Sequence, residues 1–183
     1  MSDAPSYLVA FPGQSVGQGA VKFIFTNSTF LVAHSHQDGV IPVPSPGDLL
    51  AIFAIKEKYT PPPSGDFIYD EVICNLIVAN DGYTYALIPN DISTFHNRLN
   101  YFLSNWQKIQ LKFERDCSAI GEWDSGKSRE WIALLLRTLN SPTNNFNVSA
   151  YRTQTNNGLY GRKWYKLIPD TPDESIVKEE PCN

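Results

Sequence analysis

His34 and His36 stand two apart in FLVAHSHQD, residues 30–38. In a β-strand, residues two apart point to the same face. Two imidazoles on one face, with the carboxylate of Asp38 close by, form a donor set that suits Zn²⁺ or a similar ion. The chain has three histidines, and the third is His96. The candidate ligands are therefore His34, His36, Asp38 and His96. An ion held there would lower the pKa of a bound water and give a metal-dependent hydrolase. The alternative is a polar strand end with solvent-facing histidines, running into a Pro/Gly loop.

The order H-x-H-x-D resembles the metal motif of metallo-β-lactamase-type hydrolases. That pattern continues with a further His, where this chain has Gly39. Two other stretches spell catalytic motifs. GEWDSGKS (121–128) has the letters of a phosphate-binding loop. Such a loop needs a strand before it, and the residues before Gly121 have helical spacing. Glu122 and Asp124 would also repel phosphate. The stretch reads instead as a helix stop at Gly121 and a helix start capped by Asp124 or Ser125. GQSVG (13–17) has the letters of a serine-hydrolase elbow. Only six residues precede its strand YLVAF, and VKFIF follows where a helix should begin. It reads as a glycine-rich connection.

A fourth stretch is YRTQTNNGLYGRKWYK, 151–166, in which cations and aromatics interleave without an acid. Such a surface can hold a protein partner, a glycan or single-stranded nucleic acid. Arg152, Tyr160, Arg162, Lys163, Trp164 and Lys166 are its candidate contact residues. Residues 170–183 carry five acids and one lysine, so this tail can fold back over the basic hairpin.

These residues must be carried by regular elements. Short apolar runs at 7–11, 21–25, 30–34, 67–79 and 83–88 read as strands. Asn80-Asp81-Gly82 marks a tight turn between the last two, which implies antiparallel pairing. LLAIFAIKEKY (49–59) is apolar on both parities and reads as a central strand covered on both faces. From Asp91 the period changes. Ile92, Phe95, Leu99, Phe102, Trp106, Ile109, Phe113, Cys117 and Ile120 fall three or four apart. They predict one helix over 91–120, about 43 Å long and capped by Asn90 or Asp91. A shorter helix follows, with Trp131, Leu134, Leu135 and Leu139 on its apolar face and Asn140-Ser141-Pro142 as its stop. Two more strands are expected at 147–153 and 159–168.

The expected fold is α+β: an antiparallel sheet or partly closed barrel of about seven or eight strands, with one long and one shorter helix packed on it. A single globular domain is expected over 1–169, with an acidic, Pro-containing extension or surface strap over 170–183. Charged residues are 19% of the 183 and aromatics 13%, so amides, hydroxyls and rings dominate the surface. The net charge of −4 gives no positive field for general nucleic-acid or anionic-membrane binding. Cys74, Cys117 and Cys182 are odd in number and widely spaced, which predicts reduced thiols and a cytoplasmic chain. The favoured function is a non-catalytic binding or assembly module, acting on a protein partner or a second copy, without a cofactor. A metal-dependent hydrolase built on His34 and His36 is the alternative, and a carrier of a small apolar ligand is the third reading.

Overall fold

A computed structural model describes residues 31–36, 41–58, 73–122, 126–154, 163–170, 172 and 174–182. The architecture is α+β. Six strands follow in chain order: β1 (Leu31–Ser35), β2 (Cys74–Val78), β3 (Tyr83–Pro89), β4 (Val148–Gln154), β5 (Tyr165–Pro169) and β6 (Val177–Pro181). They lie side by side in that same order, in one open sheet among the described residues. The expected strands at 7–11 and 21–25, and the GQSVG stretch, lie outside the described residues. The helices are α1 (Leu49–Lys58), α2 (Ile92–Asn97), α3 (Leu99–Ile120) and α4 (Ser128–Asn140). None of the described helices is long and apolar enough to cross a membrane.

Every neighbouring pair of strands is antiparallel except β1 and β2, which are parallel. Parallel neighbours need a long crossover connection. Here it contains the 3-10 turn Pro46–Asp48 and α1. The β2–β3 hairpin turns at Asn80-Asp81-Gly82, closed by Ala79 N–H to Tyr83 O at 2.9 Å. Gly82 has φ +86°, a left-handed conformation that favours glycine.

Residues 49–58 are the helix α1, not the central strand that their two-sided apolar pattern suggests. A continuous apolar run does not distinguish a buried strand from a buried helix. Two features decide for the helix. The run of ten residues is long for a strand and contains the good helix formers Leu, Ala, Lys and Glu. It also follows Ser45-Pro46-Gly47-Asp48, in which the Asp48 carboxylate reaches back to Ser45 N–H at 2.6 Å. Ser, then Pro, then an acid at the third position is a start signal for helical turns.

The long helix forms as its stripe requires, with one interruption. Asp91 caps α2 through Ser93 N–H and Thr94 N–H. Arg98 then has φ −91° and ψ 0°, which separates α2 from α3. Its guanidinium donates to the carbonyls of Thr143 and Asn144, tying this joint to the loop before β4. All nine stripe residues lie in or against the core. α4 ends at Asn140 as expected but begins at Ser128, later than Asp124 or Ser125 would place it. Those two residues lie outside the described ones.

The helices cover one face of the sheet. Val32, Ile77, Tyr85, Leu87, Val148, Ala150, Leu167 and Val177 meet them from that face. Four rings join α1 to α2, α3 and the loop before β4. Phe53 stacks on Phe95 at 4.1 Å and lies 5.0 Å from Phe102, and Phe146 meets Phe102 edge-on at 5.2 Å. Phe53 is 2% exposed. Phe53→Ala is therefore expected to cost about 3–5 kcal/mol, read from urea unfolding. A loss under about 1 kcal/mol would contradict the packing of α1 as a core helix.

Candidate metal centre

β1 ends in the polar pair. His34 lies opposite Ile77 in the parallel register with β2. His36, just past the strand, continues the pairing by donating its N–H to Val78 O at 2.9 Å. The alternation of the strand therefore sets both imidazoles on the helix-covered face, as their spacing predicts. Their rings are 5.2 Å apart, and the two Nε2 atoms are 3.3 Å apart.

Asp48 completes the group. It ends the 3-10 turn that leads into α1. Its Oδ2 accepts from Ser45 N–H at 2.6 Å and from Ser45 Oγ at 3.1 Å. That leaves Oδ1 aimed at the histidines, 2.8 Å from His34 Nε2 and 3.6 Å from His36 Nε2. His36 is oriented from its other side. Its Nδ1 lies 2.8 Å from Ile41 O, and a carbonyl can only accept, so Nδ1 carries the proton. In neutral His36 the Nε2 lone pair then faces His34 and Asp48. This pairing of a ligand nitrogen with a backbone carbonyl behind it is typical of metal-bound histidine.

The three converging atoms are thus separated by 2.8, 3.3 and 3.6 Å. A tetrahedral zinc with bonds of about 2.0–2.1 Å has ligand–ligand edges of about 3.3 Å. The triangle is therefore about the size of one face of such a tetrahedron. The side chains of His34 and His36 are 15% and 13% exposed, and that of Asp48 is 9% exposed. The centre lies at the rim of the core, within reach of solvent.

The charges are consistent with this arrangement. Burial opposes ionisation of Asp48, yet the hydrogen bonds and charges of His34 and His36 prevail and hold its carboxyl far below the usual range. Burial likewise opposes the imidazolium of His36. The hydrogen bond and charge of Asp48, with the carbonyls of Ile41 and Val43, outweigh it and raise that pKa above 6.5. The buried anion thus favours positive charge beside it, which the imidazolium of His36 supplies below its raised pKa.

Among the described residues, His34, His36 and Asp48 are the only group of His, Cys, Asp and Glu that could hold an ion. His96 does not join it. It lies on α2, its Nδ1 buried and without a hydrogen-bond partner among the described residues. Asp38 lies outside the described residues. Sequence reasoning missed Asp48, whose signal was the same Ser45-to-Asp48 start pattern that announces α1.

The basic hairpin is placed differently. Arg152 lies on the helix-side face at 7% exposure, its Nε donating to Glu179 Oε1 at 2.6 Å and its guanidinium 4.1 Å above the Tyr83 ring. Glu179 belongs to β6, so the acidic tail does turn back onto this region. Lys166 pairs opposite Tyr151, one residue out of phase with Arg152, and therefore points to the other face. Lys163 is exposed and Trp164 half-buried, while Tyr160 and Arg162 lie outside the described residues. GEWDSGKS joins two helices. α3 runs to Ile120, where Gly121 N–H donates to Cys117 O at 3.2 Å, and Lys127 pairs with Glu130 at 3.3 Å. The strand that a phosphate loop requires before it is replaced by a 22-residue helix.

Comparison with family models, with curated proteins and with solved structures finds no match, so the site is read from its own geometry.

Proposed function

We propose that the chain is a metal-dependent hydrolase whose ion is held by His34, His36 and Asp48. The observation that carries this reading is the spacing of His34 Nε2, His36 Nε2 and Asp48 Oδ1, which matches one face of a zinc tetrahedron. Two imidazoles and one carboxylate suit Zn²⁺ or a neighbouring transition ion, whereas Mg²⁺ and Ca²⁺ favour all-oxygen sites. Three protein ligands with one position left for water is the pattern of catalytic rather than structural zinc. Held by these three residues, a zinc ion would supply Lewis acidity and a bound water of pKa about 7.

The chain's own residues supply orientation. Ile41 O fixes His36 by its Nδ1, and Ser45 fixes Asp48 by its Oδ2, so each offers its remaining atom to the ion. The reading replaces the non-catalytic module as first choice because the ligand atoms converge, while Arg152 and Lys166 of the hairpin point to opposite faces.

The test is hydrolysis of activated carboxylic and phosphoric ester reporters by tag-free protein. A rate that falls to background in chelator and returns with added Zn²⁺ is expected. A rate that ignores the chelator, or none with zinc bound, would sink the hydrolase reading.

A further inference from the structure

We infer that Asn75 and Gln110 are positioning residues for this centre, clamping the 3-10 turn that presents Asp48. The inference rests on the metal reading proposed above. The two histidines are carried by β1, whereas Asp48 is carried by a turn outside the sheet. The ligand triangle therefore depends on how the turn is held against the strands.

Two side chains hold it, from two directions. Asn75 lies on β2, opposite Val32 of β1, and so shares a face with His34. It is fully buried, and its Nδ2 donates to the main-chain oxygen of Asp48 at 2.9 Å. Its own Oδ1 finds no hydrogen-bond partner among the described residues. A buried amide acceptor without a partner is costly, and an aliphatic residue would avoid it. The position nevertheless carries an amide, and the bond that amide makes fixes Asp48 to the sheet. Gln110 approaches from α3. Its Oε1 accepts from Gly47 N–H at 2.8 Å, and its Nε2 donates to Glu114 at 2.8 Å, which sets the direction of the amide. The approach is close: a Cβ on Gly47 would lie 3.3 Å from Gln110 Oε1. Glycine at 47 thus lets the clamp close.

Clamps of this kind act through the ligands they hold, and their loss lowers metal affinity by about 10–100-fold. A merely structural role would lower the stability of the metal-free protein and leave the ion's surroundings unchanged in whatever folds. The experiment uses the full, tag-free chain with Asn75→Leu and, separately, Gln110→Ala. Zn²⁺ affinity is measured by competition with a chromophoric chelator, and the visible spectrum is recorded with Co²⁺ in place of zinc. Thermal unfolding is followed without metal. Gln110→Ala keeps a good helix former on α3, so it is expected to fold. The expected result for both variants is a Zn²⁺ affinity lower by about 10–100-fold with an altered Co²⁺ spectrum. Affinity within about twofold of wild type, with an unchanged spectrum, overturns the inference and leaves the metal centre standing. Wild-type protein that binds neither ion overturns both. If Asn75→Leu does not fold, Gln110→Ala alone decides.

Discussion

Replacing His36 with alanine is expected to lower Zn²⁺ affinity by about a hundred- to a thousandfold while the sheet and helices persist. The size follows from sharing. Four-ligand zinc sites gain roughly 10–16 kcal/mol in all, or about 3–4 per ligand, and each 1.4 kcal/mol is a factor of ten. The fold survives because His36 sits past the end of β1 at the rim of the core. Its removal costs the hydrogen bond to Ile41 O, worth about 1 kcal/mol, and one of the two imidazoles facing the Asp48 carboxylate, while His34 stays 2.8 Å from Oδ1. Isothermal titration of stripped, tag-free protein measures the affinity, and circular dichroism checks the fold. His34→Ala is expected to act alike. An affinity unchanged by either substitution would place the ion elsewhere.

Asp48→Asn is the second large effect, and it separates the carboxylate's two roles. Oδ2 serves Ser45, whose N–H and hydroxyl both donate to it. An asparagine must keep its oxygen there. Its NH₂ then faces the imidazole nitrogens and offers no lone pair to an ion. Zn²⁺ affinity is expected to fall by about a hundredfold or more, although the turn keeps its Ser45 bond. The metal-free protein responds in a pH-dependent way. The carboxyl of Asp48 is depressed below 3.8 in the folded chain, so its stabilisation is complete above that value and is lost as pH falls towards the folded pKa. The imidazole of His36 is raised above 6.5, so its stabilisation is complete below 6.5 and is lost as pH rises through the folded pKa. Wild type should therefore exceed Asp48→Asn by the most between about pH 4 and 6.5, by roughly 2 kcal/mol. Urea unfolding in chelator across that range measures it. A gap that does not change from pH 3 to pH 8 would deny the coupling between Asp48 and the histidines.

What could be read beforehand depended on whether a local period existed. The stripe from Ile92 to Ile120 has nine members, and every one lies in or against the core. Its interruption at Arg98 is set by carbonyls some 45 positions away, which no local period shows. The hairpin at Asn80–Gly82 was legible because one turn residue needs positive φ. The parallel pairing of β1 with β2 was not, because its crossover contains residues 49–58, whose two-sided apolar pattern fits a buried strand as well as a helix. In β6 only Val177 of five residues is buried, so the edge strand hides inside an acidic tail. Two of the three members of the candidate centre were visible, since H-x-H in a strand puts both rings on one face whatever follows. Its third member was not, because adjacency favoured Asp38. Asp48 is brought in by a turn whose Ser-Pro-Gly-Asp letters announce a helix start and say nothing of a ligand.

Whether His34, His36 and Asp48 hold one ion is tested most directly by metal content per chain. Tag-free protein is stripped with chelator, dialysed against dilute Zn²⁺, freed of unbound metal and analysed for zinc and for protein. About one zinc per chain, falling to about a tenth or less in His34→Ala with His36→Ala, is the predicted result. Less than about a tenth of a zinc per wild-type chain, with no other transition ion in its place, would contradict it.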